Sequence, residues 1–318
     1  MTARNSLWLL IRPLVFALLA AALGLAALAM AAVWSDALRL GIVAASGQFD
    51  AACTWTTARE AVGYERRRAE ARMSAAQRVT ASKRDGDLVL FETPWGPSWI
   101  SGAQPLENAR FRAADLYHWP PRWAEDPARP LIRRGGIMID GGGHIGESAA
   151  TALRMGAARV ISIEVDPINA EAIRRNLAPA IADGRQTVLQ VGIWESPGTL
   201  QLERAEASTM SQTHVKAHGP GSISVPMTTI DQIVKDLRLP RVDAIKLDIE
   251  GAEPYALRGA RETLARFKPA LAIGTYHHSR DLEEVRNIVQ TARPDYTERA
   301  ARCLAANGRI QPHILFFE

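Results

Sequence analysis

The sequence predicts an α/β fold built on a doubly wound, mostly parallel sheet, with an apolar helix ahead of it. Three observations carry this prediction. From Gly136 onward, apolar strand-like runs alternate with helical stretches, the pattern of parallel strands joined by crossover helices. The first run feeds a glycine-rich turn, Gly141 to Gly146, that opens a helix. Upstream, Pro13 to Ser35 runs for roughly 20 residues without a charge, enough helix to cross a hydrocarbon core of about 30 Å.

A chain of 318 residues holds one large α/β domain plus an anchor or small module. Its 47% hydrophobic and 23% charged residues exclude a disordered chain. The net charge of +4 comes partly from Arg66, Arg67 and Arg68, read as a solvated helical face outside the chemistry-bearing segment, so no nucleic-acid partner is expected. Cys53 and Cys303 lie far apart and have neither metal-ligand nor disulfide-framework spacing; they read as reduced thiols. No Cys/His or HExxH arrangement suggests a metal site.

Residues 1–36 form the N-terminal tail and transmembrane helix, with Pro13 in a first turn and Trp8 and Trp34 at interfacial positions. A cleaved signal peptide is the alternative, with Ala29, Ala31 and Ala32 as a small-residue site, yet the apolar stretch exceeds the usual h-region of roughly 7 to 15 residues. Residues 37–84 read as a helical stalk or linker, since Thr56 to Lys83 is rich in Ala, Arg and Glu without an apolar stripe; no catalytic role is expected there. Residues 85–135 hold a two-stranded capping hairpin over Asp87 to Ile100, then a segment with Trp119 and Trp123 that is either a substrate-side lid or a packed loop.

Residues 136–318 form the main domain. GIMID ends in Asp140 and feeds GGGHIG; RVISIE is the second strand; Asp166 and Pro167 are the N-cap and first residue of a helix burying Ile168, Ala172, Ile173 and Leu177. QTVLQVGIW, GTLQLE, RVDAIKLDIE, PALAIGTYH and the terminal PHILFFE follow as strands.

Gly141, Gly143 and Gly146 satisfy GxGxxG, and Glu164 closes the second strand about 23 residues later, where an acid accepts hydrogen bonds from ribose hydroxyls. An adenosine-containing ligand follows. Asp140, directly before the glycines, opposes the pyrophosphate of a dinucleotide and suits a ligand bearing a sulfonium and an ammonium. It also reads as a turn acid bonded to the loop backbone.

MIDGGGHIGESA, VISIEVDPINAEAIRRNL, VGIWESPGTLQL, VPMTTIDQI, VDAIKLDIEGAEPYALRGA and PALAIGTYH occur in the order found in the FkbM family of S-adenosylmethionine-dependent methyltransferases. Over about residues 85 to 318 the chain resembles that family, with KLDIEGAE the most diagnostic block. The resemblance implies a Rossmann-like class I methyltransferase fold, a seven-stranded sheet with an antiparallel last strand, and O-methylation of a sugar, glycolipid or natural-product hydroxyl. It also places Asp140, Gly142, Gly143 and Gly146 in the donor-binding loop and makes Glu164 the ribose acid. Gly141, Gly143 and His144 replace the family's common Val, Ala and Asn, which predicts a more flexible turn and weaker donor binding. His144 either bonds the donor or caps the helix.

In an open α/β sheet, ligands lie beyond the carboxyl ends of the strands. Asp248 and Glu250 close AIKLDIE, and His277 and His278 follow PALAIGTY. Methyl transfer to a hydroxyl needs alignment and removal of a proton, so Asp248, Glu250 and His277 are the catalytic candidates, with Asp248 also a donor ligand. Each has a structural reading as well: Asp248 as a donor contact alone, Glu250 as a helix cap, and His277 with His278 as a surface pair. Lys246, inside an apolar strand, pairs with an acid. Arg4 and Arg12 precede the apolar segment and Arg39 follows it closely, which favours export of the rest. The cytoplasmic supply of S-adenosylmethionine favours a cytoplasmic domain instead, and that is the expectation. A nicotinamide-dependent oxidoreductase and a non-catalytic relative of the fold are the rival readings.

Overall fold

The computed structural model describes residues 67–203 and 222–318 apart from 104, 119–120, 125–128, 278–280, 301–302 and 307–308, together with Gly24, Asp50 and Cys53. The proposed membrane segment, His278 and Trp119 lie outside the described residues. No helix among the described residues is long and apolar enough to cross a membrane.

A helix over 67–76 leads into three antiparallel strands, β1 (Thr80–Asp85), β2 (Leu88–Glu92) and β3 (Ser98–Ser101). The expected two-stranded hairpin is therefore extended by a strand from the segment read as stalk. β1 is exposed along its whole length, which removed the apolar alternation that marks a strand. A helix, Leu106–His118, follows. Then come β4 (Ile137–Gly141), β5 (Arg159–Ile163) and β6 (Gln186–Leu189), separated by helices Glu147–Arg154 and Pro167–Asn176. Asp166 caps the second of these, accepting from the Ile168 and Asn169 N–H groups with Pro167 in the first turn, as the sequence predicts.

β7 (Gly192–Ile193), β8 (Gly198–Glu203) and β9 (Ser222–Thr228) form a separate small sheet. The main sheet resumes with β10 (Ala244–Leu247), β11 (Ala270–Gly274) and β12 (Glu298–Ala300), passes over the hairpin β13 (Cys303–Ala306) and β14 (Arg309–Pro312), and ends with β15 (Ile314–Phe317). Its order is β12-β15-β11-β10-β4-β5-β6, with β15 antiparallel to both neighbours. This is the seven-stranded arrangement that the resemblance implies. Alternate strand residues enter opposite cores: Met138 and Val160 pack on one face, Ile139 and Ile161 on the other. With helices covering both faces, the central strands are apolar throughout.

Cys53 and Cys303 are joined by a disulfide, correcting their reading as free thiols. The bond spans 250 residues of sequence, so no local spacing announces it. It pins the segment before the domain to β13, where Arg286 also clasps Asp50 at 2.8 and 2.9 Å.

Candidate active site

A cavity of about 460 Å³ opens at the carboxyl ends of β4, β5, β10 and β11. Its inner wall is the glycine loop. Gly142 faces the cavity with φ 77°, and a Cβ there would lie 2.0 Å from the Asp248 carbonyl oxygen, so only glycine lets the loop close on β10. Gly146, at φ 102°, turns the chain into helix Glu147–Arg154. Gly143 and Gly146 shape this turn and are not among the residues that line the cavity. The extra glycines also do not leave open space. A Cβ on Gly141 would meet Leu247 at 2.7 Å and Ile193 at 2.9 Å, and one on Gly143 would meet Ile173 at 2.9 Å, so larger neighbours fill the room.

Asp140 does not touch the cavity either. It is fully buried, 3.1 Å from Lys246 Nζ, and accepts from Ser162 Oγ at 3.2 Å. Lys246 also donates to the carbonyls of Gly141 at 3.0 Å and Gly142 at 2.7 Å. Burial opposes charge on Lys246, but Asp140 and Asp248 overcome it and hold the ammonium above its ordinary range. Asp140 thus supports the loop from beneath. With Lys246 compensating its charge, it does not by itself repel a pyrophosphate.

Glu164 does line the cavity. Its two oxygens accept from the His144 and Asp166 N–H groups, each at 2.8 Å, and burial pushes its carboxyl up to about 7 despite them. His144, at φ 49°, pairs through Nδ1 with Glu147 at 2.8 Å. Burial works against the Glu147 charge, yet His144 and Arg112 hold it down to about 2. The His144 side chain therefore engages the first turn of the helix.

Against the glycine loop, the KLDIEGAE block makes a tight turn in which Glu250 has φ 59°. Glu253, fully buried, closes it by accepting from the Ile249 N–H at 2.7 Å and the Gly251 N–H at 2.9 Å. Glu253, not Glu250, organises this helix start. Asp248 Oδ1 accepts from Tyr276 Oη at 2.8 Å and lies 3.2 Å from His277 Nε2, while His277 Nδ1 lies 3.3 Å from Glu250. Burial opposes charge on the imidazole, but Asp248, Glu250 and Glu253 push His277 up to about 10. It stays protonated at neutral pH. His277 therefore bridges the carboxylates, an arrangement that favours its charged form over proton acceptance, one of the two readings open to it from the sequence. Asp248 moves the opposite way: burial raises it, yet His277, Lys246 and Tyr276 keep it well below the usual carboxylate range.

Asp248, Glu253 and His277 have ligand atoms within 4.8 Å of one another, a spacing that also fits a metal. Here His277 Nε2 lies 3.2 Å from Asp248 and 3.5 Å from Glu253, and both Glu253 oxygens already accept backbone N–H groups.

Tyr276 and His313 line the cavity as well, and neither was singled out in the sequence. Tyr276 stands beside His277 at the same strand end, and that position was the available signal. His313 stacks on Tyr276 at 4.1 Å from the far side. Trp123 is buried with Nε1 donating to Ser148 Oγ at 3.0 Å, so it is packed cavity wall. Arg68 and Arg72 reach the cavity from the helix read as a stalk without function. Only the three-dimensional fold brings that helix to the strand ends.

Residues 140–299 match the methyltransferase FkbM domain family. The methyltransferase FkbM of Methylobacillus flagellatus KT is 24% identical, covering 79% of this chain and 59% of that one with a TM-score of 0.47. The chain thus spans only 59% of that relative's length. The Bacillus cereus O-methyltransferase in complex with SAH is 13% identical over 57% of this chain and 73% of its own, with a TM-score of 0.35. A SAM-dependent O-methyltransferase of Thermotoga maritima is 15% identical over 58% and 59%, with a TM-score of 0.33. No curated protein matches the chain. The family match covers half of the sequence, from Asp140 beneath the glycine loop into β12, and on that extent the chain belongs to the methyltransferase FkbM domain family.

Proposed function

We propose that the chain binds S-adenosylmethionine in this cavity and methylates a hydroxyl of a sugar, glycolipid or secondary metabolite. The observation that carries the reading is the distribution of acids along one continuous cavity: Glu164 at the end of β5, and Asp248 with Glu250 at the end of β10, flanking the glycine loop at the end of β4. When bound, S-adenosylmethionine supplies a methyl group on a sulfonium. Glu164 accepts from ribose hydroxyls with the lone pairs that its two N–H partners leave. Asp248, kept ionised, sets negative charge beside the cationic part of the donor. The Asp248–His277–Glu250 chain fixes the geometry for in-line attack. With His277 protonated and Asp248 a weak base, Glu250 is the side chain left to take the acceptor's proton. Incubating the full chain with methyl-labelled S-adenosylmethionine and hydroxylated acceptors tests the reading. Base-stable label in the acceptor supports an ether product, while transfer only to amines rejects the O-methyl assignment.

The apolar run Pro13 to Ser35 supports a membrane tether, which favours a membrane-associated acceptor. The cytoplasmic supply of the donor favours a domain on the cytoplasmic side. The disulfide and the charges around the run favour the opposite face, because disulfides persist in oxidising compartments. Phosphatase and cytoplasmic reporter fusions after Glu318 decide between them; phosphatase activity rejects the cytoplasmic placement.

A further inference from the structure

We propose that His313 is a positioning residue for the donor site, and that the Cys53–Cys303 disulfide is a redox-sensitive brace that keeps it in place. This rests on the donor reading of the same cavity. His313 lines the cavity and stacks on Tyr276 with ring centroids 4.1 Å apart. Tyr276 in turn donates to Asp248 Oδ1 at 2.8 Å and packs against His277 at 4.0 Å. The His313 ring therefore backs the side chain that orients the Asp248 carboxylate. Its Nδ1 is buried without a hydrogen-bond partner among the described residues, so that atom does not fix the ring and the backbone beneath it must.

That backbone lies at the end of the β13–β14 hairpin. The Thr275 N–H donates to the His313 carbonyl at 3.2 Å, Thr275 Oγ1 to the Pro312 carbonyl at 2.8 Å, and Gln311 Nε2 to the Thr275 carbonyl at 3.1 Å. Residues 311–313 are thus tied to the neighbour of Tyr276. Pro312 is paired across the hairpin with Cys303, which carries the disulfide. A two-stranded hairpin is marginal by itself, and this one is a sheet of its own. The segment before the domain straps both strands: Cys53 is bonded to Cys303 on β13, and the Asp50 N–H donates to the Ile310 carbonyl on β14 at 2.8 Å. The Cys53 N–H donates to the Asp50 carbonyl at 2.9 Å, which links the two anchor points. A dithiol reductant breaks the S–S bond in two exchange steps. One of its thiolates forms a mixed disulfide with one cysteine as the other leaves, and its second thiol then displaces the first, so that two electrons and two protons pass to Cys53 and Cys303 and the reductant closes its own disulfide. β13 then loses its tie while the Asp50 contacts to Ile310 and Arg286 remain, and His313 slackens against Tyr276 in a chain that is still folded.

The test is calorimetry of S-adenosylhomocysteine on the full chain, oxidised and after dithiothreitol, with folding followed by circular dichroism. The sequence holds two cysteines and both are in the bond, so the reductant has one target. Reduction should weaken binding at least about fivefold, and by linkage saturating S-adenosylhomocysteine should make the bond harder to reduce by the same factor. His313→Ala should weaken binding to a similar extent in the oxidised protein and abolish the effect of reduction. His313→Phe, which keeps a ring on Tyr276, should restore both. The NMR resonances of the His277 and His313 rings should shift on reduction of the wild type. Equal affinity in the oxidised and reduced folded proteins overturns the proposal, as does a loss on reduction that is undiminished in His313→Ala. A loss in His313→Phe as large as in His313→Ala overturns it too, by assigning the role to the imidazole nitrogens. Should the reduced chain unfold, the oxidised variants decide, and wild-type affinity in His313→Ala rejects the proposal. Failure of the wild type to bind S-adenosylhomocysteine removes the donor reading first; the ring resonances then decide, and their constancy on reduction of the folded protein rejects the brace as well.

Discussion

Glu164 combines two roles that pull against each other: it is buried enough to be raised to about 7, yet a ribose-binding acid serves best when ionised. Hydroxyl donors favour the carboxylate, so donor affinity should strengthen as pH rises through about 7 and level off above it. Calorimetry with S-adenosylhomocysteine from pH 6 to 8 checks this, and Glu164→Gln should flatten the profile and weaken binding roughly tenfold at pH 8, about 1.4 kcal/mol. His277 gives a second signature. Its value in the fold, about 10, lies above the ordinary 6.5, so its stabilising contribution is complete below about pH 6.5 and is lost as pH rises through about 10. Thermal melts of the wild type should show that alkaline loss and His277→Asn should not. In turnover assays Glu250→Gln should reduce the rate by about 10²- to 10⁴-fold with little change in donor affinity; unchanged turnover would remove Glu250 as proton acceptor.

At the level of elements, the loop between β4 and helix Glu147–Arg154 depends on Gly142 more than on its other glycines. Gly142→Ala forces a Cβ into the Asp248 carbonyl at a left-handed φ, and it should cost at least about 1–3 kcal/mol of stability, read by chemical denaturation, along with donor binding. The strands around this loop were legible in sequence because each is a short apolar run bounded by turn residues, and Asp166–Pro167 marked a helix start with its own cap chemistry. The position of Glu164 was legible by its distance from the loop. What Asp140 does was not: a carboxylate before the glycines looks the same in sequence whether it faces a ligand or Lys246, and only the β4–β10 pairing sets it opposite the lysine. His277 misled for a related reason. Its proton affinity is set by Asp248, Glu250 and Glu253, which β10 and the following turn bring to it from across the sheet.

Across the whole molecule, the contacts invisible in sequence are those that join distant segments. The Cys53–Cys303 bond and the Asp50–Arg286 pair fasten the chain before the domain to the region of β13 and the helix Asp281–Ala292. Cys303→Ser should lower stability by about 2–4 kcal/mol, read as a fall in melting temperature that reducing agent reproduces in the wild type. Arg68 and Arg72 likewise acquire meaning only once helix 67–76 is placed against the cavity and tied to Asp115. The central claim is that this cavity takes S-adenosylmethionine, and titration of the full-length protein with S-adenosylhomocysteine, with NAD in parallel, tests it most directly. The account predicts saturable one-to-one binding of S-adenosylhomocysteine, lost in Glu164→Ala, and none of NAD; binding of NAD in its place, or no S-adenosylhomocysteine binding by folded protein, would contradict it.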